Sequence, residues 1–577
     1  MNLSKAFPFL DWLVHYDKKN LQGDLSAGLT VGVMLIPQGM AYAMIAGLPP
    51  IYGLYASTIP ILVYALLGTS RQLAVGPVAM VSLLTAAGIG SMAAGGTESY
   101  LLLAFTLAFL VGAFQYLLGV FRLGFLVNFL SHPVISGFTS ASALIIGLSQ
   151  LKHLMGVKLP ESHFIHEVLW GAILQVGQTH TITLIIGLAG IGLIMGMKKW
   201  LPVIPGSLLA VAFGILAVWA FGLDANGVKI VGEVPSGLPT FGLPDFSWNT
   251  IQNLAPTALA IALVSFMESI AVAKAIQAKH KNYKVVANQE LVALGMANLA
   301  GSFFQAYPTT GGFSRTAVND QAGAKTGLAS IISVALIVLT LLFLTPVFYF
   351  LPKAILASVI MVAVFGLIDI KEVKHLWHAN RTDFWMLAAT FAATLSLGIE
   401  QGIGIGVLLS LGMVIFKTTK PHFARLGRVP GTHLYRNIER FEKIEERPDL
   451  LIVRFDAQLY FANVNYFRER LEEWIDEKGQ VLKALIINAE SINSLDSSAL
   501  HALQDVLDDC KRRNLKFYLC TVKGPVRDAL VRGHLLEAIG SENCFLTIQD
   551  AVNHYDGKQS ATSAAVLQEY VLQTNEE

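Results

Sequence analysis

The sequence is poor in charge and in cysteine. Only 14% of its 577 residues are Asp, Glu, Lys or Arg, whereas 54% are hydrophobic, and an ordinary soluble protein carries about 25% charged residues. The cysteines Cys510, Cys520 and Cys544 all lie near the carboxyl end, and they indicate neither a disulfide framework nor a cysteine metal cluster. A net charge of +1 offers no electrostatic footprint for nucleic acid. These shortages favour a membrane protein over a secreted, fibrous or disordered one.

Charge is unevenly distributed along the chain. Residues 1–416 contain 36 charged side chains, whereas residues 417–577 contain 45. This division fits an apolar block followed by a soluble domain, which would lie in the reducing cytoplasm. The sequence has no His-Glu-x-x-His, Gly-x-Ser-x-Gly or Walker-type phosphate loop, so no motif supports an enzyme, a cofactor or a metal site. We therefore favour secondary transport over a membrane enzyme or a sensor.

The apolar block is long enough for many membrane crossings, since spanning about 30 Å of hydrocarbon takes roughly 20 residues. Residues 25–70 lack any charged side chain and can form two helices, separated at residues 47–50. Twelve further apolar segments follow near 76–91, 99–121, 132–151, 180–197, 203–222, 254–273, 285–304, 312–322, 326–350, 354–368, 383–399 and 401–416. We predict fourteen segments, of which 76–91 and 312–322 are short.

Loop charges predict the orientation. With fourteen crossings both ends share one side, and placing them in the cytoplasm leaves twelve Lys or Arg inside and four outside. This asymmetry is the one expected of cytoplasmic loops in an inner or plasma membrane. The inside group is Arg71, Arg122, Lys198, Lys199, Lys274, Lys279, Lys281, Lys284, Lys325, Lys371, Lys374 and Arg381, and the outside group is Lys152, Lys158, Lys229 and Lys353.

The two short segments are third and tenth in order, so they occupy matching places in two blocks of seven. Because seven is odd, the second block enters the membrane with inverted polarity, and interrupted helices at matching positions point to a binding site near the midplane. Each follows a helix-breaking stretch, 71–77 or 307–312. A pair of ordinary Pro/Gly kinks is the plainer interpretation.

Half-helices that begin near the midplane from opposite sides would present their N-termini to each other, each with about half a positive charge. This geometry selects an anion. Pro77 suits the first position of the first short helix, and Gly311 and Gly312 permit close approach of backbone. Arg315 would add a positive field for the anion, or would form an ion pair with Asp320 or Glu268.

Several motifs resemble those of the SulP sulfate permease family, whose animal branch is the SLC26 anion exchangers. The resemblance runs from about Leu21 to about His554. It is carried by the runs 35–43 (LIPQGMAYA), 47–57 (GLPPIYGLYAS), 68–71 (GTSR), 76–77 (GP) and 312–319 (GFSRTAVN).

The resemblance implies an α-helical polytopic membrane protein with fourteen segments as seven-plus-seven inverted repeats. These repeats divide into a core (helices 1–4 and 8–11) and a gate (helices 5–7 and 12–14). It also implies a cytoplasmic STAS domain of small α/β type, which could bind a cytoplasmic partner, and a homodimer. The implied anion site lies between helices 3 and 10, and its residues are Gln38, Tyr42, Val78, Ala79, Phe313 and Ser314, with Arg315 beside them.

The residues themselves agree in part with this implied site. Gln38 and Tyr42 are four apart, so on a helix they share one face, although Tyr42 would also suit packing between helices. Glu268 is the lone carboxylate between Phe246 and Ala273, and an ionised carboxylate there costs roughly 3 kcal/mol. Desolvation favours its protonated form, which makes Glu268 our candidate for proton coupling. The resemblance implies that sodium is less favoured, since the sulfate type of the family has a glutamate at this place and a bicarbonate and sodium type has a different pattern. A purely structural acceptor is the alternative.

The tail predicts a small α/β layer with strands at 450–455, 484–488 and 515–522 and helices at 464–476 and 497–513. Asp496 would cap the second helix, and Ser497 resembles a position that is phosphorylated in STAS domains. We place the boundaries at 1–23 (cytoplasmic N-terminus), 24–222 (first repeat), 223–253 (extracytoplasmic loop), 254–417 (second repeat), 418–435 (linker), 436–556 (STAS domain) and 557–577 (polar tail).

The expected function is proton-coupled sulfate uptake by alternating access. Transport of bicarbonate, chloride or a dicarboxylate, or an anion channel, is the alternative. A nucleobase-proton symporter shares the helix architecture but is expected to lack the STAS tail and the pairing of Ser314 with Arg315.

Overall fold

A computed structural model of the chain describes residues 7–14, 16–125, 131–157, 165–200, 205–280 and 283–558. Lys158 and Lys281 of the orientation argument, and nearly all of the predicted polar tail, lie outside these residues. The described chain divides into two compact units, Met1–Leu411 and Gly412–Glu577.

The first unit is helical, and each of the fourteen predicted segments coincides with a helix. Among the described residues, eight helices are long and apolar enough to cross a membrane by themselves. The membrane helices, numbered 1 to 14, are Asn20–Ile45, Ile51–Tyr55 with Ile59–Leu67, Ala79–Gly90, Glu98–Val120, His132–Ser149, Thr181–Trp200, Gly206–Phe221, Trp248–His280, Ala287–Ser302, Phe313–Gln321, Leu328–Leu339, Lys353–Phe365, Arg381–Leu397 and Ile399–Thr419.

Shorter elements join these helices. Helix 11 continues through a π turn, Thr340–Leu344, and a 3-10 turn, Thr345–Phe348. Four short helices, at Phe9–Val14, Leu151–Met155, Ile165–Leu174 and Ile370–Ala379, lie outside the fourteen segments. Side-chain caps begin several helices; for example, Thr97 accepts a hydrogen bond from the Tyr100 amide at helix 4.

Helix packing follows the predicted repeat. Helix 1 packs on helix 11, and helix 8 packs on helix 4. Helix 5 packs on helix 13, helix 12 packs on helix 6, and helix 2 meets helix 9. If each helix is replaced by its counterpart seven places away in the order, the pair 1–11 becomes 8–4 and the pair 5–13 becomes 12–6. The pair 2–9 is unchanged. The seven-plus-seven organisation is therefore visible in the contacts as well as in the order of the helices.

Close helix contact and an apolar exterior complete this unit. A Cβ atom on Gly53 would lie 1.8 Å from the carbonyl oxygen of Gly39, so helices 1 and 2 can touch here only without a side chain. The outer surface exposes large apolar side chains, including Leu216, Phe343 and Leu408. Such a face suits contact with lipid rather than with water.

The second unit contains a six-stranded sheet with the order β4-β3-β5-β6-β7-β8. Its strands are β3 (Phe423–Arg428), β4 (Tyr435–Asn437), β5 (Leu450–Phe455), β6 (Ala484–Asn488), β7 (Lys516–Cys520) and β8 (Cys544–Phe545), and its helices are α1 (Val464–Lys478), α2 (Ser497–Arg512), α3 (Gly524–Arg532), α4 (Leu535–Ile539) and α5 (Ile548–Tyr555). Strands β5 to β8 are parallel, as the alternation of strands and helices predicts.

The stretch 418–435, predicted as a linker, instead carries strand β3. This strand pairs antiparallel with β5, from Phe423 opposite Phe455. Phe423 packs against Phe455, Phe467 and Trp474. Its sequence has one aromatic residue and two arginines in six positions, and the local pattern is therefore a weak strand signal. The packing partners that stabilise it lie about thirty to fifty residues away in the chain.

Candidate anion-binding site

The lead-in segments of helices 3 and 10 cross in the interior of the helical unit. Strand β1 (Val75–Gly76) pairs antiparallel with strand β2 (Thr310–Gly311), with Val75 opposite Gly311 and Gly76 opposite Thr310. A further backbone bond of 3.1 Å runs from the Gly312 amide to the Ala74 carbonyl. The two interrupted segments, predicted to meet from their matching positions in the repeats, therefore satisfy each other's backbone groups.

Each strand leads directly into a helix. Helix 3 begins at Ala79 after the N-cap Val78, and helix 10 begins at Phe313 after the N-cap Gly312. Valine and glycine have no side-chain acceptor, so neither helix has a side-chain cap at its start. The first-turn amides and the positive dipole ends of both helices are consequently available to an anion.

Pro77 does not occupy the first helical position that was predicted for it. It lies before the N-cap Val78. Its carbonyl oxygen accepts a hydrogen bond from Nη1 of Arg315 at 2.5 Å. The proline therefore belongs to the extended lead-in, where the antiparallel pairing holds the chain.

Arg315 is almost fully buried, with 1% of its surface exposed. Its Nε and Nη2 atoms have no hydrogen-bond partner among the described residues. Nη2 of Arg315 lies next to both lead-ins. A Cβ atom added to Gly76 would lie 3.4 Å from Nη2, and one added to Gly312 would lie 3.1 Å from it. Gly76 also has φ of +147°, a conformation that favours glycine. Both glycines thus make room for the guanidinium between the starts of helices 3 and 10.

The two ion pairs considered for Arg315 do not form in the described structure. Asp320 binds Lys279 instead, at 2.6 Å, and also contacts His280. Glu268 interacts electrostatically with Arg315 but makes no ion pair with it within 4 Å among the described residues. The Glu268 Oε2 atom is buried and has no hydrogen-bond partner there. A buried cation and a partly buried carboxylate therefore lie near each other, and each has unfilled hydrogen-bonding capacity among the described residues.

A hydroxyl chain joins helix 8 to the lead-in of helix 10. The Gly311 amide donates to Ser269 Oγ at 2.8 Å, and Ser269 Oγ lies 2.7 Å from Thr310 Oγ1. Thr310 Oγ1 donates to the Ser265 carbonyl at 2.7 Å. Since Ser269 follows Glu268 directly, the candidate proton site is one residue from a contact with β2. The sequence analysis missed Ser269, although a hydroxyl beside the lone carboxylate was a visible signal.

A second polar network holds the same lead-in from the side of helices 4 and 9. Asn298 accepts from the Thr309 amide at 2.8 Å and donates to Gln115 at 3.1 Å, and Gln115 donates to Ser265 at 2.8 Å. All four side chains are buried. These residues were also not predicted, because their role depends on contacts between distant helices.

The remaining predicted site residues differ in how deeply they are buried. Gln38 and Tyr42 are both buried on helix 1, and Gln38 Oε1 has no partner among the described residues. Tyr42 interacts electrostatically with Arg315 and Glu268. Val78 and Ala79 are buried. Phe313 and Ser314 are exposed, which indicates that the start of helix 10 has one open side.

In the second unit, Asp496 caps helix α2, as predicted, by accepting from the Ala499 amide at 2.8 Å. Its other carboxylate oxygen accepts from the Phe461 amide at 2.9 Å. Ser497, the candidate regulatory residue, is exposed at the first helical position. Within the described ranges, no group of three or more His, Cys, Asp or Glu side chains is arranged to hold a metal ion.

Comparison with known proteins connects both units to described families. A profile of the sulfate permease family matches residues 21–390, and a STAS domain profile matches residues 443–551. The chain is 39% identical to sulfate transporter 4.1, chloroplastic, of Arabidopsis thaliana, over 95% of this chain and 82% of that protein. It is 36% identical to high affinity sulfate transporter 2 of Stylosanthes hamata, over 97% of this chain and 88% of that protein.

A solved structure shares the fold. The murine solute carrier 26 family member A9 anion transporter, in its inward-facing state, superposes with a TM-score of 0.88 at 27% identity. The match covers 96% of this chain and 95% of that one. The predicted combination of a helical transporter unit and a C-terminal STAS domain is thereby confirmed.

Proposed function

We propose that this chain, which belongs to the sulfate permease family, takes up sulfate by proton-coupled secondary transport. It is an anion transporter of the membrane, and its relatives are transporters rather than enzymes. Sulfate as the substrate is supported by the names of those relatives. The coupling ion and the site are supported by the residues described above.

The observation that carries the proposal is the position of Arg315. Its guanidinium lies buried beside the lead-ins of two helices whose N-termini have no side-chain cap. Two helix N-termini contribute about half a positive charge each, and the guanidinium contributes a full one, so the charge of a divalent anion is balanced. A bound oxyanion would also supply acceptors for Arg315 Nε and Nη2, which lack partners among the described residues. We assign the backbone amides of Val78, Ala79, Phe313 and Ser314, with Gln38 and Tyr42 of helix 1, to the same site.

We assign proton coupling to Glu268. Its Oε2 atom is buried, and no donor among the described residues bonds it. Glu290, another carboxylate of the helical unit, differs in this respect. It accepts from Tyr64, from both the hydroxyl and the amide of Thr69, and from the Ser70 amide. These four donors occupy both oxygens of the Glu290 carboxylate, so it lacks the unfilled hydrogen-bonding capacity of Glu268.

Coupling to a cation is needed on energetic grounds. Moving one elementary charge against the membrane potential costs about 2.3 kcal/mol per 100 mV, so a divalent anion needs cotransported positive charge to enter a negative interior. In the proposed cycle, helices 1–4 and 8–11 move as a core against helices 5–7 and 12–14 and expose the site to each side in turn. We further propose a homodimer in an inner or plasma membrane, with both termini and the STAS domain cytoplasmic. A cytoplasmic protein would be the partner of that domain.

The test is uptake of labelled sulfate into proteoliposomes, with and without an inward proton gradient. Wild-type protein should show saturable uptake that the gradient accelerates. Glu268→Gln, which is uncharged and cannot release a proton, should lose the gradient dependence. Glu290→Gln is the matched control because it removes a buried carboxylate of the same unit that is already fully hydrogen-bonded.

Each failure has a distinct meaning. Saturable sulfate uptake with the same gradient dependence in Glu268→Gln would refute the role of Glu268. Absence of sulfate uptake by correctly inserted protein would refute the substrate assignment, and bicarbonate, chloride and dicarboxylates would then be tested in the same vesicles. Uptake that does not saturate would indicate a channel.

A further inference from the structure

The helical unit contains a cavity built from residues outside the candidate anion site. It has a volume of about 600 Å³ and lies where helices 2 and 4 end and helix 9 begins. The lining also includes residues from the first short helix and from the segment between helices 8 and 9. None of the residues assigned to the anion site contributes to it.

The cavity is positively charged. Arg71, Arg122 and Lys284 line it, whereas Asp11 is the sole acid among its described lining residues. Asp11 is paired with Arg71 at 3.4 Å, and Arg71 also lies over the ring of Tyr283 at 5.5 Å. Arg122 and Lys284 form no hydrogen bond or ion pair through their side chains with any described residue. Two cations in one cavity thus have no ion-pair partner among the described residues.

The rim of the cavity is already ordered. Glu290 binds the amides of Thr69 and Ser70, the Val286 amide donates to Thr69 Oγ1 at 3.1 Å, and Gln289 Nε2 donates to the Leu67 carbonyl at 2.9 Å. Glu290 thus bonds neutral donors, and it forms no ion pair with Arg122 or Lys284 among the described contacts. A ligand would meet a preformed polar wall and would not have to order a loop.

Apolar side chains border the charged wall. Val120, at the end of helix 4, is 51% exposed, and Val286, at the start of helix 9, is 44% exposed. Phe121, next to Val120, is 68% exposed. A basic cavity flanked by exposed apolar residues at the ends of membrane helices has the composition expected of a site for an anionic headgroup.

We propose that this cavity binds a phosphate-bearing anion, either the headgroup of an anionic phospholipid or a free phosphate ester, between Arg122 and Lys284. Arginine and lysine are the side chains that bind phosphate most directly. The site connects to the transport machinery through Tyr283, whose hydroxyl donates to Gln72 Oε1 at 2.7 Å. Gln72 in turn accepts through its carbonyl from Asn319 of helix 10 at 2.8 Å. A ligand bound in the cavity would therefore be connected by these hydrogen bonds to the segment that leads into helix 3.

The test compares lipid retention by the full chain in detergent, measured by native mass spectrometry. The probes are phosphatidylglycerol, phosphatidylcholine of the same chain length, and glycerol 3-phosphate as a soluble competitor. The test variant is Arg122→Gln with Lys284→Gln. The matched control is Lys198→Gln with Lys199→Gln, which removes two exposed cations from the end of helix 6.

Wild-type protein should retain phosphatidylglycerol at least about tenfold better than phosphatidylcholine, since each cation near the surface contributes to the attraction of an anionic lipid. The test variant should lose this preference and the control should keep it. Competition by glycerol 3-phosphate at equal concentration would identify a free phosphate ester as the ligand. Failure of that competition would identify the lipid headgroup.

The proposal is overturned if the test variant keeps the wild-type preference, or if the control variant loses as much of it. Neither Arg122 nor Lys284 has a side-chain contact of the kinds described above, so the variant should fold, and an unchanged melting temperature would show that it does. The readout is independent of sulfate transport. It therefore distinguishes failure of this site from failure of the proposed function.

Discussion

Arg315 of helix 10 donates a hydrogen bond from Nη1 to the carbonyl oxygen of Pro77, the residue that precedes the N-cap of helix 3. The two residues come from opposite repeats and are 238 positions apart in the chain. The bond uses one side of the guanidinium, and Nε and Nη2 have no partner in the part of the chain that the structure describes. A side chain that links the two half-helices therefore also presents unused donors at their starts.

We predict that Arg315→Met abolishes sulfate-induced stabilisation and changes the stability of the empty protein only modestly. The substitution removes a costly buried charge, but it also leaves the Pro77 carbonyl without its donor, which costs about 1–3 kcal/mol. Sulfate at about 100 times its dissociation constant should stabilise wild-type protein by about 2.7 kcal/mol. Melting curves with and without sulfate measure both effects. Lys371→Met, at an exposed position, is the control, and a full sulfate response in Arg315→Met would contradict the assignment.

Ser269→Ala should weaken sulfate binding without changing the proton dependence of uptake. The substitution removes the acceptor of the Gly311 amide, and a buried amide left unpaired costs about 1–3 kcal/mol. The resulting freedom in β2 should raise the KM for sulfate roughly tenfold. Ser302→Ala controls for loss of a hydroxyl, because among the described residues the Ser302 hydroxyl bonds only the Leu299 carbonyl of its own helix. Equal changes in KM for the two variants would show that the contact with Gly311 is unimportant.

Glu290→Gln should lower stability and preserve proton-coupled uptake. An amide in place of the carboxylate turns a donor group toward the Tyr64, Thr69 and Ser70 donors, and we expect a loss of about 1–3 kcal/mol. Thermal denaturation in detergent measures the loss, and uptake at two external pH values tests the coupling. Loss of proton dependence in this variant would mean that Glu268 is not the sole coupling carboxylate.

In the second unit, Asp496→Ala should destabilise helix α2 by about 1 kcal/mol, because removal of an N-cap acceptor typically has this effect. Hydrogen exchange of the amides near the start of α2, measured in the full chain, should accelerate by about fivefold. Ser497→Ala leaves the cap intact and should leave exchange unchanged. An equal acceleration in Ser497→Ala would show that Asp496 is not the stabilising cap.

The three cysteines should resist alkylation in the native protein. Burial raises the pKa of the Cys510 thiol to about 12 and that of Cys544 to about 11, and burial also raises the pKa of Cys520. Because the unfolded thiols ionise near pH 8.5, these groups contribute stability that is complete below that pH. The contribution declines between about pH 9 and 12. Iodoacetamide labelling at pH 8 should be slow until denaturant is added, and fast labelling of folded protein would contradict the burial.

Local sequence patterns determined much of the helical unit. Runs without charge, such as residues 25–70, predicted the fourteen segments, because hydrocarbon penalises charged side chains wherever they occur along a helix. The half-helices 3 and 10 were predicted from Pro and Gly at matching positions. Arg315 and Glu268 stood out as isolated charges in apolar surroundings. The resemblance to a known family supplied Gln38, Tyr42 and the backbone positions.

Tertiary structure alone decided how these residues are bonded. Hydropathy reports the environment of one segment at a time, whereas the Ser269–Gly311 and Arg315–Pro77 hydrogen bonds depend on the crossing of segments far apart in sequence. The same is true of strand β3, which forms because Phe423 packs against β5 and α1. The sequence by itself therefore determined which segments enter the membrane and which charges are out of place there. The arrangement of the repeats decided that Asp320 pairs with Lys279 while Arg315 and Glu268 keep unfilled hydrogen-bonding capacity, because partner choice depends on distances that only the folded chain sets.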